Sequence, residues 1–136
     1  MAIVGFNFSK INVERKKDPV GKVDINNNVS VKNVEEADFA VGSLKQKGLR
    51  FTFEFVSDYT PDIASITLNG SVLFVGDKSQ TEKILGEWKK NKKLSKDIMA
   101  DIVNTVLTRC NVESVMLSRD VNLPPPIPMP TVKKED

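Results

Sequence analysis

One cysteine, Cys110, the adjacent carboxylates Glu35 and Glu36, and two basic runs, Arg15-Lys16-Lys17 and Lys89-Lys90-Asn91-Lys92-Lys93, are the residues from which this chain would build chemistry. Their surroundings argue against it. Cys110 falls among Val103, Val106 and Leu107 at helical spacing, where a thiol serves as a small apolar side chain. Histidine is absent, which removes the commonest general base and the commonest metal ligand. The acidic pair has no second cluster at metal-ligand spacing and reads as solvated surface. Glycine-rich phosphate loops are missing as well. The lysine run suits the negative end of a helix dipole, and it lacks the interleaved aromatic platforms of a nucleic-acid surface. These residues predict a protein that is not an enzyme and uses neither cofactor, metal nor nucleic acid.

The elements around them belong to an ordinary small domain. With 136 residues, 40% hydrophobic and 28% charged, and a net charge of +2, the chain has the size and composition of one soluble domain. A lone cysteine permits no internal disulfide and predicts a cytoplasmic location. Met1-Ala2-Ile3-Val4-Gly5 lacks the pattern of a signal peptide. No apolar run reaches the ~20 residues that span a bilayer, so membrane insertion is not expected.

The first half of the sequence alternates with period 2. Phe6 and Phe8 are in one phase and Ile11 and Val13 in the other, which predicts a bulge at Ser9-Lys10. Asp18-Pro19-Val20-Gly21 reads as a turn. Val23, Ile25, Val29 and Val31 keep one register through three asparagines that disfavour a central strand. Leu49, Phe51, Phe53 and Phe55 form the clearest half-buried strand. A turn over 57–62 leads to Ile66, Leu68, Val72 and Phe74. The stretch 35–48 reads as a long loop carrying Phe39, Val41 and Leu44.

After Gly76 the period becomes 3.6. Ser79-Gln80-Thr81-Glu82 has the form of a capping box ahead of a short helix with Ile84, Leu85 and Trp88 on its apolar face. A second, long helix spans about 95–119, and Ile98, Met99, Ile102, Val103, Val106, Leu107 and Cys110 cover an arc of roughly 180° around it. A helix on a single sheet needs only ~100°. The excess predicts a homo-oligomer, with Met99, Val103, Val106, Leu107 and Cys110 at its interface. The expected fold is α+β: a four-stranded antiparallel β-meander followed by a short and a long helix packed on one face of the sheet. Residues 1–122 form this domain, and 123–136 form a Pro-rich extended tail. Apolar surface outside regular elements then gives a candidate polypeptide-binding groove, made of Phe39, Val41 and Leu44 together with Leu123, Ile127 and Met129.

The order of elements, and the segment Arg119-Asp120-Val121-Asn122-Leu123-Pro124-Pro125 after the long helix, resemble the SecB export-chaperone family over roughly residues 4–130. The resemblance implies a dimer of dimers with long helices sandwiched between outward-facing sheets. It also implies a holdase for unfolded or disordered polypeptide in protein export, while some relatives protect an antitoxin. Two departures stand out. The export members are strongly acidic and carry a further C-terminal helix, whereas this chain is slightly basic and has the proline run there. The expected function is a cytoplasmic molecular chaperone that binds nonnative polypeptide through apolar surface. The alternative is a non-enzymatic adaptor or structural subunit that binds one specific partner protein, such as an antitoxin.

Overall fold

The computed structural model describes residues 2–128 and 132, with side chains for all of these except 2, 39 and 41. Four strands, β1 (Ala2–Arg15), β2 (Asp24–Val41), β3 (Leu44–Thr60) and β4 (Ala64–Val75), precede helices α1 (Lys78–Asn91) and α2 (Lys96–Asp120). The expected α+β architecture is present: every strand pair is antiparallel, α2 lies across β2, β3 and β4, and α1 lies against β2 and β3. The strand order is β1-β4-β3-β2. Strands β2 to β4 form a meander, and β1 joins β4 at the far edge, which makes the sheet a Greek key. The connection 16–23 therefore crosses the end of the sheet. It is tied there by the amides of Lys16 and Lys17, which donate to the Ile63 carbonyl at 2.7 and 3.1 Å. The Lys16 ammonium also meets Asp62 at 3.0 Å.

Alternation decides which side is buried. Leu49, Phe51, Phe53, Phe55 and Tyr59 of β3 and Ile66, Leu68, Val72 and Phe74 of β4 face the helices and are buried. Gly70 shares that phase because β1 and Phe53 crowd it: a Cβ there would collide with the Asn7 carbonyl oxygen and the Phe53 ring. On the same side, Phe6 of β1 stacks on Phe53 at 5.2 Å between centroids. Register shifts in β1 fall between Ile3 and Gly5 and between Phe8 and Lys10, so the bulge read at Ser9-Lys10 is present. The asparagine-bearing strand β2 is an edge strand, as its composition required.

Three local expectations are corrected. The stretch 35–48 is a β-hairpin and not a loop. Val41 pairs with Leu44 around Gly42-Ser43, and Gly42 has φ 65°, the positive value that a two-residue hairpin turn needs at its first central position. Strand β3 runs through the expected turn residues Ser57 to Thr60. Finally, Asp77 caps α1 instead of Ser79. Its carboxylate accepts the Gln80 amide and the Ser79 hydroxyl, both at 2.8 Å, which holds its pKa below the usual carboxylate range.

Candidate functional site

The C-terminus of α2 is closed by a Schellman motif. Asn122 is left-handed at φ 59°, the Leu123 amide donates to the Ser118 carbonyl at 2.8 Å, and the Asn122 amide donates to Arg119 at 3.2 Å. This turn drives Leu123 into the core, where it is 6% exposed. The proline segment then folds back onto the sheet. Proline carbonyls only accept, so the sheet supplies donors: the Tyr59 hydroxyl to Pro124 at 2.6 Å and the Asn27 amide to Pro126 at 2.9 Å. The Asn27 oxygen in turn accepts the buried Ser57 hydroxyl at 2.6 Å. Burial pushes the Tyr59 phenol up to about 12, so it remains a neutral donor at physiological pH.

Where this turn meets α2, Val115, Met116, Ser118, Arg119, Leu123 and Pro125 line a cavity of about 340 Å³. Its walls are chiefly apolar, with the Arg119 guanidinium as the one cation among them. Met116 is 51% exposed at the mouth, and Val112, one helical turn earlier, is also exposed. The cavity is large enough for an apolar side chain of a bound polypeptide. Of the six residues predicted to bind polypeptide, Leu123 forms its floor, and Ile127 is half-buried farther along the segment. Met129 lies outside the described residues.

Phe39, Val41 and Leu44 are elsewhere. All three sit near the tip of the β2–β3 hairpin, which projects past the end of β4. The side chains of Phe39 and Val41 lie outside the described ones, and Leu44 is 73% exposed. Asn27, the contact of the proline segment, and Phe39 are on the same strand. They are separated by about 12 residues, or roughly 40 Å at ~3.3 Å per residue. The two predicted halves of one groove are therefore at opposite ends of the sheet. A cavity of about 440 Å³ at the hairpin base is ringed by Glu36, Lys47, Lys78 and Glu82, two charges of each sign, and is unlike an apolar client site.

Helix α2 divides its apolar arc into ridges of residues four apart, each step turning ~40° about the axis. Ile98, Ile102, Val106, Cys110, Ser114 and Ser118 face inward and are buried. Val106 and Cys110 are 0% exposed within the single chain, which corrects their placement at a contact between copies. Burial, with a smaller contribution from Glu113, pushes the Cys110 thiol up to about 12 and leaves no thiolate for chemistry. Met99, Val103 and Leu107 form the next ridge and are half-buried; Val115 continues it. Strand β1 is incompletely covered too: none of its described side chains is buried, and Ile11 is 47% exposed. Its Phe6 meets α2 through Arg109, whose guanidinium is 4.9 Å from the ring centroid.

No protein-family model matches this sequence, and no curated protein matches it. Among solved structures, the chain is similar to a SecB-like chaperone of Mycobacterium tuberculosis, determined in complex with a ChAD peptide from the HigA1 antitoxin. The TM-score is 0.52 at 11% sequence identity, with 99% of this chain and 92% of that chain covered. The likeness shows a SecB-like fold.

Proposed function

We propose that this protein is a cytoplasmic polypeptide-binding chaperone, a holdase that acts without nucleotide or metal. The observation that carries the reading is the apolar cavity at the end of α2, lined by the exposed Met116 and walled by Leu123 and Pro125. Such a cavity accepts large apolar side chains with little demand on sequence, and methionine adapts to their shapes. The half-open ridge of Met99, Val103 and Leu107 would be covered by a second copy, giving a dimer or a dimer of dimers. The SecB-like fold supports both statements.

A second reading is an adaptor that serves one disordered partner. It is favoured by the structural neighbour, which was solved with a peptide from an antitoxin. One experiment separates the two. Unrelated urea-denatured proteins are diluted into buffer with stoichiometric amounts of this protein, and light scattering is followed. Suppressed aggregation of several of them supports the holdase. Suppression of none, with one protein recovered on affinity capture, replaces the holdase with the adaptor.

A further inference from the structure

The free edge of β2 points to a binding mode that apolar cavities alone do not supply. Residues 24–31 pair with 53–60 of β3 in unbroken register, and their other edge receives no backbone hydrogen bond among the described residues. Edge strands are normally blunted by bulges, prolines or charges. The opposite edge, β1, carries two register shifts. By contrast, the run 24–31 contains no bulge and no proline, and Asp24 is its one charged residue. At ~3.3 Å per residue it presents roughly 26 Å of unpaired backbone.

We propose that this edge takes an extended segment of a client polypeptide as a fifth strand; the proposal rests on the polypeptide-binding reading above. Backbone pairing attracts any sequence, while alternate side chains of the added strand select for apolar residues. Those side chains would continue the inner surface of Ile25, Val29 and Val31, each half-buried at the sheet margin. The proline segment borders the same margin. It passes from Tyr59 on β3 to Asn27 on β2 through the carbonyls of Pro124 and Pro126, which carries Ile127 toward the free edge. A second copy fits this edge poorly. The one bulge of β2 is at Lys32, near the middle of the strand, so full antiparallel self-pairing would bring both bulges and both lysines together on the two-fold axis.

The test uses the full chain and a fluorescein-labelled peptide of ten residues alternating Leu and Thr. Two further versions are N-methylated at every Leu or at every Thr. In an added strand only one of these sets directs its amides at β2. Methylation of that set should weaken binding at least about tenfold, and methylation of the other less than about threefold. Amides within 24–31 should also gain protection from hydrogen exchange when the unmodified peptide binds. Equal affinity of all three peptides, or equal weakening by both methylations without added protection at 24–31, overturns the proposal and leaves the side-chain cavity as the holder. Protection at 24–31 that rises with protein concentration alone assigns the edge to a second copy and overturns it as well. Failure of the unmodified peptide to bind at all overturns the polypeptide-binding reading itself.

Discussion

Leu123 and Met116 line one cavity, yet truncating them should fail in opposite ways. Leu123 is 6% exposed, so Leu123→Ala deletes three carbons from a packed site. Lost transfer energy and residual cavity together amount to about 3 kcal/mol. For a domain of this size that lowers the melting temperature by roughly 10 °C. Met116 is 51% exposed and stands on the outer side of α2. Met116→Ala should change stability by less than ~0.5 kcal/mol, since alanine also favours the helix. A bound apolar side chain, however, would bury the exposed half of the methionine, worth about 1 kcal/mol or roughly fivefold in affinity. Calorimetry and anisotropy with a labelled unfolded protein, measured on both variants, read the two quantities separately. Unchanged affinity in Met116→Ala would remove the cavity from the binding surface. An unchanged melting temperature in Leu123→Ala would contradict the docking of the proline turn.

Tyr59→Phe removes the donor to Pro124 and should destabilise the fold by about 1 kcal/mol, with faster hydrogen exchange at the Leu123 amide; unaltered exchange there would show that the hydroxyl does not hold the segment. Leu107→Asp places a carboxylate on the half-open α2 ridge, and light scattering across dilution should report monomer where the native chain is oligomeric, because burying that charge costs several kcal/mol. A strictly monomeric native chain at micromolar concentration would refute the assembly. The cap Asp77 has a folded pKa below its unfolded value. Its contribution is present at neutral pH and is lost as pH falls through the carboxylate range, so Asp77→Asn should flatten the melting temperature against pH between about 6 and 2. Identical profiles in both proteins would assign the acid sensitivity to other carboxylates.

Periodicity made the central strands legible because each has one face on the core. Phe51, Phe53 and Phe55 alternate with Thr52 and Glu54, and the fold buries the first set. The hairpin 35–48 escaped for the converse reason. Beyond Leu49, β3 has no β4 partner, so only the base of the arm, at Ala37 and Gly48, is buried, and its β3 side from Leu44 to Gly48 carries no apolar alternation. Its pairing is written across strands instead, in Glu35 opposite Arg50 with a 3.2 Å ion pair and in Asp38 opposite Lys47. Such a pattern has meaning only once the register is known. The place of β1 was equally illegible: the expected meander puts it beside β2 and the sheet puts it beside β4, since alternation says which side of a strand is buried and not which strand lies beside it.

The excess apolar surface of α2 was legible as a quantity but not as a direction. An arc of ~180° contains more than one ridge of residues four apart, and hydrophobicity does not say which ridge meets the sheet. The structure turns Val106 and Cys110 inward with Ile98 and Ile102, and it continues that ridge through two serines whose hydroxyls bond back to the Asn111 and Val115 carbonyls at 3.1 and 2.7 Å. A polar residue ends an apolar pattern on paper, yet serine is small enough to bury when it satisfies its own donor. The serines also set what the outer side of the helix can do. Because the ridge stays inward through Ser118, the positions that face outward at the same level are Val112 and Met116, beside the cavity that Leu123 floors. The inward serines and the outward methionine are thus consequences of one helix rotation, and replacing Ser114 or Ser118 with a larger side chain should disturb the cavity from behind without touching its mouth.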